Sequence, residues 1–223
     1  MPFYNAKQFV ASSDYDVRHR ISFSAGWDLP FDRAWSSGPK RLTRGWGLYP
    51  IVTYRTGFPV DVTAAFARRR TRPGPSGAGD GQLVRANLTG SSITFFDPRQ
   101  SQTIGGSSGN FWFDPTNFTT NGLGGATCTA CALNPALRTY GTFPRNGLRG
   151  PSQANVNLAI AKQTPLFGER LNLLFRAEFF NLFNHAQFQI PNTNITNRAL
   201  FGQITSVIPD SQRIVQLALR LAF

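Results

Sequence analysis

Over residues 20–29 the chain alternates, with Ile21, Phe23, Ala25, Trp27 and Leu29 on one side and Arg20, Ser22, Ser24, Gly26 and Asp28 on the other. A period of two held over that length predicts a strand with one apolar face. A second run places Trp46, Leu48, Pro50, Val52 and Tyr54 opposite Gly45, Gly47, Tyr49, Ile51, Thr53 and Arg55. It is less clean, and Pro50 removes one ladder hydrogen bond from it. A third run sets Val156, Leu158 and Ile160 against Asn155, Asn157, Ala159 and Ala161, and leads through a predicted turn at Thr164-Pro165-Leu166-Phe167-Gly168 into a fourth. The fourth puts Leu171, Leu173, Phe175, Ala177 and Phe179 opposite Asn172, Leu174, Arg176, Glu178 and Phe180, so that the two read as one hairpin. The last run faces Val215, Leu217, Leu219, Leu221 and Phe223 one way and Gln216, Ala218, Arg220 and Ala222 the other.

The connections are as informative as the strands. About 15 residues (30–44) join the first run to the second and about 7 the third to the fourth; about 96 (58–153) separate the second from the third, and about 28 (184–211) the fourth from the fifth. A soluble sandwich does not require that order, whereas outer-membrane barrels alternate short periplasmic turns with long outer loops. The expected fold class is therefore all-β: an antiparallel transmembrane β-barrel portion of about five membrane-spanning strands, with extracellular loops over 58–153 and 184–211. Trp27, Trp46 and Phe223 then fall at the periplasmic interface, where an aromatic girdle belongs. Arg20, Asp28, Arg55, Arg176, Glu178 and Arg220 lie on the polar faces. Exposing an Arg to mid-membrane lipid costs about 2–4 kcal/mol, so these six are expected to point into a hydrated lumen.

The segment 58–153 carries nine Arg, four Asp, no Lys and no Glu, and is rich in Gly, Ser, Thr and Asn. A structureless loop of this length is out of place in a compact domain but tolerable outside a barrel. Short hairpins are expected within it at 93–96 and 111–113, and another at Phe201-Gly202-Gln203-Ile204.

Composition narrows the class further. Lys and Arg number 23 against 11 Asp and Glu, a formal charge of +12, yet charged residues are only 15% of the chain; 20 of the cations are Arg, and the Lys are Lys7, Lys40 and Lys162. A Lys/Glu-coated helical domain does not look like this. With 21 Gly and 15 Pro, and no apolar stretch of the 18 or more residues a spanning helix needs, an α-helical membrane protein is excluded. The first seven residues hold no secretory apolar core, so the expectation is either that the chain stays inside the cell or that its true beginning is missing.

Few motifs carry chemistry. Cys128-Thr129-Ala130-Cys131 could be half a zinc site, a redox pair or a small loop disulfide. Zinc needs two further ligands, and the chain offers only His19 and His185, far off in sequence. A redox pair would open a helix after a strand, but here Gly124-Gly125 and Asn134-Pro135 flank it, so a loop-pinning disulfide in an oxidising compartment is the expectation. Arg68-Arg69-Arg70-Thr71-Arg72 resembles a phosphate or nucleic-acid patch, but no helix-turn-helix, RNP-type motif or zinc finger accompanies it. A solvated loop near anionic lipid is the simpler reading, without nucleic acid. No catalytic motif occurs, and Arg176 with Glu178 reads as a lumenal ion pair; no enzyme, metal or cofactor is expected.

Four elements together resemble the C-terminal end of TonB-dependent outer-membrane receptors. They are Asp16-Val17-Arg18-His19-Arg20 leading into a Phe/Trp strand, Arg145-Asn146-Gly147-Leu148-Arg149-Gly150-Pro151, the run 176–185 with Asn181-Leu182-Phe183-Asn184 at its heart, and the terminal Phe223. The likeness is greatest to the large receptors with an N-terminal carboxypeptidase-regulatory-like domain, common in acidobacteria. It implies a bacterial outer-membrane location and TonB-dependent uptake of a siderophore, cobalamin, glycan or peptide through a 22-stranded barrel around a plug. The partners it implies are outer-membrane lipid, the missing plug and remaining strands, and TonB only through that plug. Val215, Leu217, Leu219, Leu221 and Phe223 resemble the terminal signal read by the barrel-assembly machinery. Five strands cannot close, and an open edge in lipid leaves backbone groups unpaired at several kcal/mol each. An incomplete barrel is therefore expected, either a fragment or a chain that recruits strands from its long loop. The competing readings are a small self-standing outer-membrane barrel of porin type and a soluble all-β basic binding domain.

Overall fold

Alternation along the chain becomes pairing across it in the computed structural model, which describes residues 10–69, 82–119, 141–167 and 171–223. In chain order the elements are β1 (Arg20–Ser24), β2 (Trp27–Leu29), α1 (Phe31–Ala34), α2 (Lys40–Thr43), β3 (Trp46–Arg55), β4 (Pro59–Val60), β5 (Thr63–Arg69), β6 (Gln82–Arg85) and β7 (Asn87–Leu88). There follow β8 (Gln102–Ile104), β9 (Ser107–Gly109), a 3-10 turn (Pro115–Asn117), β10 (Phe118–Thr119), β11 (Leu148–Arg149), β12 (Gln153–Phe167), β13 (Leu171–Phe180) and β14 (Ile214–Ala222). They divide between two compact units.

The sheet unit comprises Arg18–Thr56, Ser152–Gln187 and Val207–Phe223. Its strands run antiparallel in the order β1-β3-β12-β13-β14, with β2 also on β3. The sequence predicts one unbroken first strand, and the structure interrupts it at Ala25 and Gly26. The register does not slip: Ser24 faces Ile51 before the gap and Trp27 faces Leu48 after it. Pro50 is the cause, because the Ala25 N–H still donates to the Pro50 carbonyl at 3.2 Å but Pro50 has no N–H to return. The third run is longer than expected. The turn placed at 164–168 is displaced, since β12 continues to Phe167, with a register shift between Pro165 and Phe167 where another proline breaks the ladder. The 30–44 connection is not a bare turn but holds both α-helical turns.

Gly45 enters β3 at φ +77°, and a Cβ there would lie 2.2 Å from the Gln163 carbonyl oxygen, so only glycine fits. Nearly nothing in this unit is buried: among its described residues the buried apolar side chains are Ala159 and Ala177, and every residue of β14 is exposed.

The second unit comprises Met1–Val17, Gly57–Pro151 and Phe188–Ser206. Expected to be loop with local hairpins, it has a core of its own. Val62, Phe113, Phe118, Phe143, Leu148, Ile195 and Phe201 are among its buried residues. Phe118 meets Phe113, Phe143 and Phe201 edge-on, at ring separations of 5.4, 5.1 and 5.8 Å. Each such pair adds about 0.5–1.5 kcal/mol beyond the area it buries. The strands are short ribbons, β4 with β11, β5 with β6, β7 with β10 and β8 with β9. The apolar pieces expected to make separate hairpins pair with one another instead, Phe95 to Phe113, while Phe111 pairs with Gln203. Long-range burial overrode local pairing because each piece alone is too short to cover an apolar face.

Candidate functional site

The register decides which side chains share a face. In the sheet unit the apolar rows align, interrupted by Lys162 opposite Trp46 and Phe175: Ile21 faces Tyr54, Phe23 faces Val52 and Trp27 faces Leu48. Leu158 faces Phe179 and Ile160 faces Ala177, while Val215, Leu217, Leu219 and Leu221 face Phe179, Ala177, Phe175 and Leu173. Phe223 follows the last strand residue and is fully exposed. The outer edge of β14 has no strand partner among the described residues.

The six charged candidates lie together on the opposite face. Arg20 stands directly across from Arg55, Asp28 from Gly47, Arg176 from Ala161 and Ala218, Glu178 from Ala159 and Gln216, and Arg220 from Leu174. Arg176 Nε donates to Glu178 Oε1 at 2.7 Å, a local pair along one strand. Arg55 Nε donates to Gln153 Oε1 at 2.8 Å. The Arg20 guanidinium makes no hydrogen bond or ion pair among the described residues. Two like charges directly opposite repel, so the cavity of about 380 Å³ lined by Arg20, Arg55, Gln153, Asn155 and Gln187 is electrostatically suited to an anion. Asp28 and Arg220 stand apart from this group.

Sequence reasoning missed the role of Tyr49. Its ring covers two glycines of the polar face, with the hydroxyl 2.7 Å from where a Gly47 Cβ would stand and the ring 3.3 Å from that of Gly26. An aromatic laid over bare glycine restores the packing that glycine lacks. Alternating glycines beside a tyrosine were the available signal.

The motif residues turn out to be latches. Asn181 and Asn184 both adopt left-handed backbone, φ +48° and +51°, which asparagine tolerates better than most residues. Asn181 Nδ2 donates to the carbonyls of His185 (3.0 Å) and Ser211 (2.7 Å), and its Oδ1 accepts from the His185 N–H (2.9 Å). One side chain thus ties the end of β13 to the approach to β14. Gln187, also buried, donates to the Ala154 carbonyl.

The second unit holds the segment 145–151, which binds Ser12, Asp14 and Asp16 just ahead of the sheet unit, where Arg18, His19 and Arg20 of the first motif lie. Asn146 Nδ2 donates to Asp14 Oδ1 at 2.6 Å and to the Ser12 carbonyl at 2.8 Å, and Arg145 donates to Asp14 at 3.2 Å. Arg149 pairs with the Asp16 carboxylate and donates to the Asp16 carbonyl at 2.9 Å. The bonds from Asn146 and Arg145 hold the Asp14 carboxyl below the usual carboxylate range. Nearby, burial pushes the Asp61 carboxyl up, against the pull of Arg85 at 3.3 Å. A cavity of about 460 Å³ in this unit combines the rings of Phe118 and Phe201 with Ser107, Thr116, Thr196 and exposed Arg198. Aromatic floors with a few hydroxyls and one cation suit an amphipathic ligand.

Cys128 and Cys131 lie outside the described residues, as do Arg70 and Arg72 and the side chains of Arg68 and Arg69. Among the described residues no three His, Cys, Asp or Glu side chains gather as a metal-holding group.

A family model described as an outer membrane beta barrel domain matches residues 1–216. No curated protein and no solved structure matches the chain. The chain belongs to the outer membrane beta barrel domain family, whose place is the bacterial outer membrane and whose members are typically not enzymes.

Proposed function

From that membership we propose that the chain is part of the barrel of a TonB-dependent receptor and serves ligand uptake without catalysis. The observation that carries this reading is the two-faced sheet. Its apolar rows run from Ile21 to Leu221 with Lys162 as an interruption, exposed on β1 and β14 and mostly half-buried on the central strands, while Arg20, Asp28, Arg55, Arg176, Glu178 and Arg220 occupy the other face. The apolar face meets lipid and the charged face a hydrated lumen, because the reverse would cost about 2–4 kcal/mol for each Arg at mid-membrane. Short connections lie toward the periplasm, and the segments 58–153 and 184–211 lie outside the cell, where the aromatic cavity contributes to ligand capture. The open edges of β1 and β14 pair with further strands, since unpaired backbone in lipid is not tolerated. The row ending in Phe223 serves as the assembly signal.

Paired cysteine labelling tests the faces. In outer membranes, Ser22→Cys should react with a membrane-impermeant thiol reagent above the background of Cys128 and Cys131, and Phe23→Cys should not. Equal reactivity would remove the membrane-spanning reading. Immunoblotting of native outer membranes separates receptor from small barrel. A band far above 24.6 kDa that carries plug peptides supports the receptor, and a heat-modifiable band at 24.6 kDa would replace it with a self-standing barrel of porin type.

A further inference from the structure

The 30–44 connection is basic and greasy at once. Phe31, Trp35 and Leu42 are 46%, 58% and 63% exposed, which is unusual for a turn that only has to reverse the chain. Their neighbours Arg33, Lys40 and Arg41 are exposed and make no ion pair among the described residues. The one acid in the segment, Asp32, is taken by Arg44 at 3.0 Å. Trp35 is held in place, its ring lying 2.7 Å from where a Cβ on buried Gly38 would stand.

Two contacts fix the side of the sheet on which α2 lies. Trp46 and Lys162 face each other on the apolar face. Both reach the same carbonyl at the end of α2: Trp46 Nε1 donates to Leu42 O at 2.7 Å and Lys162 Nζ to it at 2.8 Å. Lys162 also donates to Arg44 O at 3.3 Å and stands 4.6 Å from the Trp46 ring centroid, within cation–π reach. The connection therefore folds outward, under the lipid-facing side. Two of the three lysines in the chain are gathered there. Tryptophan rings settle at the headgroup level of a bilayer, and clustered cations beside them attract anionic lipid.

We infer that residues 30–44, with Trp46 and Lys162, form an interfacial anchor that binds the phosphate headgroup of an anionic glycerophospholipid. The leaflet rests on the orientation proposed above: short connections at the periplasmic end place the anchor in the inner leaflet. Lys40 and Arg41 supply the charge for the phosphate, Phe31, Trp35 and Leu42 enter the acyl boundary, and Lys162 and Trp46 hold α2 against the strands.

The test reconstitutes the whole protein in vesicles that contain photoactivatable phosphatidylglycerol or phosphatidylcholine at equal mole fraction, and maps the crosslinked peptides by mass spectrometry. Peptides from 30–44 should crosslink to phosphatidylglycerol roughly tenfold more than to phosphatidylcholine. The double variant Lys40→Gln, Arg41→Gln should lose that preference while keeping its phosphatidylcholine yield, and Arg213→Gln should keep it. Equal yields in the unaltered protein, or a preference that survives the double variant, would overturn the anchor. Orientation is read separately with Ser36→Cys. Labelling by an impermeant thiol reagent only after the outer membrane is permeabilised supports the inner leaflet. Labelling on intact cells would overturn the leaflet and the orientation, while the headgroup preference is decided in the vesicles.

Discussion

In the unit built around Gly57–Pro151, Phe111, Phe113, Phe118, Phe143 and Phe201 turn inward: Phe113 is fully buried and packs edge-on against Phe118 and Phe201. In the sheet unit, Phe23, Leu217 and Leu219 are 56–70% exposed, and among the described residues nothing larger than alanine is buried among the apolar side chains. The same residue types thus serve two solvents. The unit around Gly57–Pro151 carries the self-contained core of a protein in water, stabilised by removing apolar area from it. The sheet has no such core among its described residues; in the proposed placement lipid covers its apolar area, with backbone polarity satisfied strand to strand. Packing density tells the two apart where hydropathy does not.

The largest effects should separate the units by solvent. Phe113→Ala is expected to cost about 3–5 kcal/mol, lowering the melting temperature by near-ultraviolet circular dichroism equally in detergent and in lipid. Leu219→Arg is expected to cost about 2–4 kcal/mol, but only in a bilayer. Urea unfolding in vesicles should reveal it, whereas Gln216→Arg on the polar face, directly opposite Glu178, should leave the midpoint almost unmoved. Were Leu219→Arg harmless in vesicles, the contrast between the units would fall.

Smaller changes probe the latches. Gly45→Ala forces a Cβ against the Gln163 carbonyl at φ +77°. The left-handed backbone alone costs about 1–2 kcal/mol, and the expected readout is faster amide exchange where β3 meets β12. Asn181→Ala removes the tie between the end of β13 and Ser211 and should release the start of β14 to exchange, at about 1–3 kcal/mol. Asn181→Gly, which suits the backbone but keeps no side-chain bond, should not rescue it. Smallest is the acid response of the Asp14 clasp. Its folded carboxyl titrates below the unfolded range, so its stabilisation is present above about pH 4 and is lost as pH falls through the folded value. Asp14→Asn should flatten that dependence in acid titration by proteolysis of the segment 10–17.

The sheet was legible because a strand's period is fixed locally. Once Ile21, Val52, Leu158, Phe175 and Leu217 mark the apolar side of each strand, its polar side follows, which is how Arg20, Asp28, Arg55, Arg176, Glu178 and Arg220 were assigned to it; which of them stand opposite one another came from the register. The gap at Ala25 and Gly26 was half legible: Pro50 announced a missing hydrogen bond, but not which neighbouring strand would lose it. The second unit was the opposite case. Phe111, Phe113, Phe118, Phe143 and Phe201 follow no period, and their meeting depends on contacts across long separations. The motifs were visible as motifs, yet nothing local says that Asn146 and Arg149 take Asp14 and Asp16 as partners.

The sequence by itself determined the five long strand runs, their two faces and the membrane class, because alternation and the order of short and long connections are one-dimensional properties. Tertiary structure alone decided that 57–151 and 188–206 build a core, that Asn181 joins two strand ends, and that Lys162 and Trp46 hold α2 at the apolar face. Each of these depends on loop closure between residues far apart in the chain, and the free energy that selects one closure over another resides in the packed contacts that form only when the chain has folded.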